Sequence, residues 1–278
     1  MWDPSTYLRY DDERSRPFHD LIARVGAERP RQVVDLGCGP GNQTATLARR
    51  WPDARIVGLD SSPEMIARAG RLGSPVTFEV ADARSWRPGP DTDVVVANAL
   101  LQWLPGHEEL LRTWLRDLPP GAWIAVQVPG NFDAPSHRAL REVAARPRWR
   151  DRVAPRLRAD PVSSPAGYAS VLTGAGCAVD AWETTYMHLL PAGDVHPVLA
   201  WMEGTALRPV RAVLGDGSDW AAFHTELGHA LAAAYPVRSG RVQFPFRRIF
   251  FVARTGAATA APAGSVPRGS DPHQPRQP

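Results

Sequence analysis

The chain contains no lysine: all 32 of its basic residues are arginine. Without a primary side-chain amine, Schiff-base and lysine-nucleophile mechanisms are excluded. Arginine suits carboxylates instead, because its planar fork donates two parallel hydrogen bonds. Cysteine is scarce as well. Cys38 and Cys177 are too few for a disulfide framework and have no metal-ligand spacing, so each is expected to be a small buried filler, and no metal is expected. No apolar run approaches the roughly 20 residues of a membrane helix. The opening Met1-Trp2-Asp3-Pro4 lacks a basic region followed by an apolar core, so no signal peptide is read and a cytoplasmic location is expected. The surplus charge is small, +3 from 32 basic and 29 acidic residues. Basic and acidic residues are interspersed, which is not the footprint of a phosphate-backbone binder, so no nucleic-acid partner is expected. A monomer acting on small molecules is the expectation.

What is present is a β/α alternation. Residues 1–30 read as a lead-in with one amphipathic helix, Phe18, Leu21, Ile22 and Val25 standing at helical spacing. Residues 31–129 carry five short apolar strands: Gln32 to Leu36, Arg55 to Leu59, Val76 to Val80, Thr92 to Ala97 and Ala122 to Val128. Helices are expected from about Asn42 to Trp51, from near Ser62-Pro63, where Ser caps and Pro fits the first turn, and from about Glu108 to Leu118. Strands this apolar, separated by helices, indicate an α/β fold with a parallel sheet covered on both faces. Residues 130–165, rich in Arg, Pro and Ala, read as a cap insertion; 166–191 as a core helix and a long strand; 192–240 as a helical cap. The segment 241–254 is a final strand whose Pro245 implies a bulge or an edge. The Ala/Pro/Gly/Ser-rich tail from 255 to 278 is expected to be disordered.

The chemistry-bearing stretch is Val33-Val34-Asp35-Leu36-Gly37-Cys38-Gly39-Pro40-Gly41-Asn42. Glycines after the first strand let the backbone approach a ligand with no Cβ in the way. A dinucleotide fingerprint needs G-x-G-x-x-G. Here the third glycine arrives one residue early, and an acid, Asp35, precedes the loop. S-adenosyl-L-methionine carries no phosphate but has a cationic amino-acid end that needs acceptors. Asp35 suits that ammonium, directly or by ordering the loop, which favours this cofactor over NAD. Asp60, with Ser61 after it, ends the second strand about 20 residues on, where an acid can accept from ribose hydroxyls. Asp82 and Ala83 follow the third strand, placing a carboxylate for the adenine amino group. Asn98 follows the fourth, leading into Ala99-Leu100-Leu101-Gln102-Trp103. These tips converge on the sheet edge where open α/β sheets bind ligands.

These residues resemble the class I SAM-dependent methyltransferases and, more narrowly, the trans-aconitate 2-methyltransferase family, from about Trp2 to Arg254. The likeness is carried by Trp2 to Leu8, Glu13-Arg14-Ser15-Arg16-Pro17, Asp35 to Asn42, Gly58 to Pro63 and Ala97 to Pro105. Thr184-Thr185-Tyr186, Leu207-Arg208-Pro209, Phe244-Pro245 and Phe250 to Arg254 add to it. The Arg-rich stretch from Arg146 to Arg158 and the tail depart from the pattern. The resemblance implies a Rossmann-like sheet, mostly parallel with a final antiparallel strand, plus a mainly helical cap. It also implies methyl transfer to a carboxylate of trans-aconitate or a close polycarboxylate.

A carboxylate is already ionised at neutral pH, with an ordinary pKa of roughly 4, so no general base is required and no catalytic acid or base is assigned. The candidate acceptor ligands are Arg14, Arg208 and Arg247 with Tyr7 and Tyr186, while Gln102 and Trp103 are positioning candidates. His107 reads as a helix-start residue, and Arg146 to Arg158 as a charged outer face of the cap. The alternatives are a methyltransferase for another small-molecule acid or hydroxyl, an NAD-dependent oxidoreductase, and a SAM-binding sensor without catalysis.

Overall fold

The computed structural model describes residues 11–157 and 161–256, with side chains from residue 15 on. Tyr7, the Arg14 side chain and the tail beyond residue 256 lie outside that description.

Helix α1 (Asp11–Ala23) precedes the alternating core of β1 (Gln32–Leu36), α2 (Asn42–Arg50), β2 (Arg55–Asp60), α3 (Pro63–Ala69), β3 (Thr77–Val80), β4 (Thr92–Asn98), α4 (His107–Asp117) and β5 (Trp123–Pro129). There follow α5 (Pro135–Ala144), α6 (Pro165–Gly174), β6 (Ala178–Pro191), α7 (Pro197–Glu203), α8 (Arg208–Leu214), α9 (Ser218–Ala234) and β7 (Arg241–Arg254). The seven strands form one sheet in the order β3-β2-β1-β4-β5-β7-β6. β1 to β5 run parallel, and β7 inserts antiparallel between β5 and β6.

Successive residues of the central strands face opposite sides, and both sides are buried, which is why these strands read as unbroken apolar runs. Val33, Val94, Val96, Ala125, Phe250 and Val252 pack with Phe18, Leu21 and Leu47 of α1 and α2. Val34, Val95, Ile124, Val126 and Phe251 pack on the other face with Leu111 and Trp114 of α4 and Tyr168 and Leu172 of α6. A third core belongs to the helical layer. There Leu140 and Val143 of α5 and the buried Trp149 meet Trp201 of α7, Phe223 and Leu227 of α9, and Phe244 and Phe246 of β7. Residues 139–157 and 198–235 therefore share one interior.

The arginines of the first segment tie it to α9 from outside. Arg146 pairs with Glu226 at 2.8 Å, and Arg148 and Arg152 pair with Asp219 at 2.9 and 2.6 Å. Trp149 adds an indole N–H to Glu226 at 3.1 Å. Pro245 sits opposite Met187 with the β6–β7 register unbroken, whereas β5 pairs with β7 only as far as Arg248. Of the two expectations for this proline, the structure shows the edge and not the bulge: Pro245 lies where β7 has one neighbour, so its missing N–H breaks no ladder on the open side.

Candidate functional site

After β1 the chain bends through Gly37, Gly39 and Gly41, at φ +74°, +56° and +80°. These are left-handed values that favour glycine. Two of the three are also packed tightly. A Cβ on Gly37 would stand 2.9 Å from Leu100 Cδ1, and one on Gly41 2.7 Å from the Phe78 ring. Gly39 differs, with nothing within 4 Å of where its Cβ would project. The bend is tied to β2: the Gly37 and Cys38 amides donate to the Leu59 carbonyl at 2.7 and 3.0 Å. The Gly39 amide donates to Asp60 Oδ2 at 2.9 Å, and Asp60 Oδ1 accepts from the Ser62 amide at 2.9 Å. Asp60 thus points at the glycine bend.

A small cleft opens beside this bond. It is lined by Gly37, Asp60, Ser61, Ala81, Asp82, Ala83, Leu100 and Leu104. Five of the nine sequence-assigned cofactor residues meet there. Leu100 and Leu104 join them without having been singled out, since nothing in their own spacing separates a ligand-facing leucine from a core one. A wider groove near Arg31, Arg55 and Thr92 contains none of the nine.

Asp35 is buried beneath the bend, accepting from the Thr44 hydroxyl at 2.6 Å. Burial pushes its carboxyl up to about 7, against the Thr44 bond, with the nearby Asp60 charge adding to the rise. Of the two roles expected for Asp35, this geometry supports ordering of the bend. Asp82 is held in a turn: its oxygens accept from the Arg84 guanidinium at 2.5 to 3.0 Å and from the Arg84 amide at 2.9 Å. Those bonds pull Asp82 below the ordinary carboxylate range.

Asn98 donates to Gln43 of α2 at 2.9 Å, while its Oδ1 is buried with no hydrogen-bond partner among the described residues. The next residue, Ala99, has φ +56°, unusual for a residue with a Cβ. Its carbonyl accepts from the Gln102 side chain at 2.6 Å and its amide donates to Gln127 at 2.8 Å. Gln102, almost wholly buried, holds this strained tip, and Trp103 is exposed beside it. His107 begins α4; one ring nitrogen lies 3.1 Å from the Leu104 carbonyl and the other 2.9 Å from the Tyr168 hydroxyl. That is the structural position its sequence reading gave it. Cys38 and Cys177 are buried and free.

A second polar group occupies the α1 side of the β6–β7 ribbon. Tyr186 is buried and its hydroxyl donates to Asp20 of α1 at 2.5 Å. Arg248, only 6% exposed, donates to Gln127 Oε1 at 3.1 Å and lies 4.6 Å from the Phe246 ring. His188 is buried and stacked on Trp201 at 5.0 Å. Burial, then the charges of Arg248 and Arg16, push its imidazole down to about 4.

Arg247 was the arginine of this strand expected to face the acceptor. The structure pairs it instead with Glu183 at 3.2 Å, on the face opposite Tyr186, because neighbouring residues of a strand point to opposite sides. Arg208 opens α8, half-buried, with burial disfavouring its charge. The sequence reading missed Arg16, Asp20, Gln127, His188 and Arg248. The signal that finds Arg248 is its two-residue spacing from the core-facing Phe250.

Among the described residues no group of three or more His, Cys, Asp or Glu could hold a metal ion, and no helix is long and apolar enough to cross a membrane.

Known proteins agree with this architecture. The methyltransferase-domain family model matches residues 33–121, the span of the glycine bend and the first four strand tips. A trans-aconitate 2-methyltransferase from Mycobacterium sp. (strain KMS) is 56% identical over 263 residues, covering 92% of this chain and 100% of the relative. Another from Rhodococcus jostii (strain RHA1) is 55% identical over 257 residues, covering 91% and 99%. Among solved structures, the YcgJ protein from Bacillus subtilis superposes with a TM-score of 0.58 at 13% identity, covering 87% of this chain and 99% of that one. The Haemonchus contortus phosphoethanolamine N-methyltransferase 2, solved in complex with S-adenosyl-L-methionine, gives 0.50 at 14% identity, covering 87% and 52%. The two solved structures share the fold. The bacterial relatives, alike over more than nine-tenths of the chain, go further, and by that likeness the chain belongs to the trans-aconitate 2-methyltransferase family.

Proposed function

We propose that this protein transfers the methyl group of S-adenosyl-L-methionine to a carboxylate of trans-aconitate, leaving a monomethyl ester and S-adenosylhomocysteine. The observation that carries the donor half is the Gly39–Asp60 bond with the open side of Gly39 beside it. Residues of the cleft fit a sulfonium nucleoside. Gly39 admits a ligand against bare backbone, and Asp60 has acceptor capacity beyond its two amide bonds for ribose hydroxyls. Ala83, Leu100 and Leu104 offer apolar walls to a base. When bound, the cofactor supplies an electrophilic methyl on a positively charged sulfur.

The acceptor oxygen forms its bond to that methyl carbon as the carbon–sulfur bond breaks, and the bonding pair stays on sulfur. No proton moves, because the attacking carboxylate is already ionised. The protein's task is therefore alignment and partial removal of water from the attacking oxygen. The donor site is assigned to Asp35, Gly37, Gly39, Gly41, Asp60, Ser61, Asp82, Ala83 and Asn98. In this reading Asp35 acts through Thr44, and Asp82 through its turn. Gln102 holds the Ala99 carbonyl and so positions the β4 tip. The names of the bacterial relatives support trans-aconitate as the acceptor. Incubation with donor and trans-aconitate, followed by mass analysis of the ester, tests the assignment; no ester from any small polycarboxylate would refute it.

A further inference from the structure

Three buried polar atoms on one face of the sheet have no hydrogen-bond partner among the described residues: Asn98 Oδ1, Gln127 Nε2 and His188 Nε2. Leaving such a group unsatisfied is costly, so an isolated case calls for explanation and three on one face call for a common one. Register puts them on one face, two adjacent and the third further along the ribbon. Asn98 is the direct cross-strand neighbour of Gln127, and Gln127 of Phe250. Two residues from Phe250 along β7 stands Arg248, and further along the same face of the ribbon Tyr186 and His188 of β6 lie opposite Phe246 and Phe244. The strip thus runs from the β4 tip, where Asn98 is bonded to Gln43 of the helix that follows the glycine bend, to the helical layer at Trp201.

Among the described residues, cations outnumber acids at the far end. The Arg248 guanidinium is buried there, and the Arg16 charge reaches both Tyr186 and His188. Asp20, the acid on this stretch, is engaged by the Tyr186 hydroxyl. A buried cation beside neutral N–H donors, at the end of a strip that begins at the methyl-donor loop, is the arrangement that seats an anion with more than one carboxylate.

We propose that Arg248, His188 and Gln127 form the acceptor subsite, receiving the carboxylates of a small polycarboxylate other than the one methylated. Arg248 supplies the charge, while Gln127 Nε2 and His188 Nε2 donate hydrogen bonds, and Arg16 of α1 flanks the subsite. This rests on the carboxylate-methylation reading and deepens it. It makes the distal carboxylates, not the reacting one, the source of selectivity. A monocarboxylate lacks the groups that would satisfy the strip and is therefore a poor acceptor.

The test is calorimetric titration of trans-aconitate into protein saturated with S-adenosylhomocysteine, run beside titration of S-adenosylhomocysteine alone. Arg248→Met and His188→Phe should each weaken trans-aconitate binding about 10- to 100-fold, the range expected for losing a charge-assisted or buried bond. S-adenosylhomocysteine affinity should stay within about twofold. Gln127→Glu covers the case in which Arg248→Met fails to fold, because the new carboxylate pairs with Arg248 and keeps the interior neutral. It should bind S-adenosylhomocysteine normally and reject trans-aconitate. Unchanged acceptor affinity in these variants, with wild-type protein esterifying trans-aconitate, overturns the subsite alone. Wild-type protein that neither binds nor esterifies any di- or tricarboxylate overturns the methylation reading and the subsite with it.

Discussion

Gly39 and Asp60 are joined by a 2.9 Å bond from the backbone amide to Oδ2, so the bend after β1 is locked to the tip of β2. The bond makes Asp60 a support of the bend as well as a carboxylate lining the cleft beside it. Asp60→Asn keeps the size but loses the charge and one acceptor oxygen, and with that oxygen one of the amide bonds from Gly39 and Ser62. S-adenosylhomocysteine Kd should rise about 10- to 100-fold by calorimetry, with the far-UV circular dichroism unchanged. An affinity within a factor of two of wild type would show that Asp60 supports the fold and does not meet the ligand.

The glycines of the bend should separate by experiment. Gly39→Ala meets no atom of the protein, so its cost to folding is the left-handed backbone alone, about 1–2 kcal/mol, while donor binding is blocked. Gly41→Ala adds a collision with Phe78 and Ala69, and its loss of stability should be clearly larger. Thermal melts with and without S-adenosylhomocysteine report both quantities. A ligand-induced stabilisation of Gly39→Ala equal to wild type would contradict this view of the open side.

Asp35 gives a pH signature. Its carboxyl is raised from 3.8 to about 7 by burial, so the folded protein holds a proton that the unfolded chain has released between those values. Stability from this group is therefore full below about 4 and falls as pH rises through 7, by roughly 4 kcal/mol if the whole shift is realised. Asp35→Asn keeps an acceptor for Thr44 and removes the titration. The variant should gain on wild type in melting temperature as pH climbs from 4 to 8. A constant difference across that range would mean the carboxylate is not desolvated.

How much of this was legible in the sequence follows from strand parity. Apolar runs bounded by glycine and proline located all seven strands to within a residue or two. The glycine spacing with Asp35 and Asp60 located the bend, because those features are local. The acceptor side is not local. Its residues come from α1, β5, β6 and β7, and only the register of the ribbon says that Arg248 shares a face with Tyr186 while Arg247 does not. Resemblance drew attention to Phe250 to Arg254, and counting back by twos from Phe250 would have reached Arg248. Thr44 as the partner of Asp35 was equally out of reach, since a carboxylate's use depends on what packs over it.

That parity makes a direct comparison. Under saturating donor, Arg248→Gln should raise the trans-aconitate KM at least tenfold more than Arg247→Gln does. The reverse order would mean the acceptor approaches from the α4 side of the ribbon.

Since the attacking carboxylate is ionised already, kcat at saturation in both substrates should be level from pH 6 to 9. A limb titrating near neutrality that persists in Asp35→Asn would indicate a base, and with it a hydroxyl acceptor.

The most direct measurement uses donor carrying a labelled methyl group, with trans-aconitate as the sole acceptor and both products counted. One labelled monomethyl ester should form for each S-adenosylhomocysteine released. Release of S-adenosylhomocysteine without label in the acid, or label carried by a hydroxyl compound in preference to any carboxylate, would contradict the account.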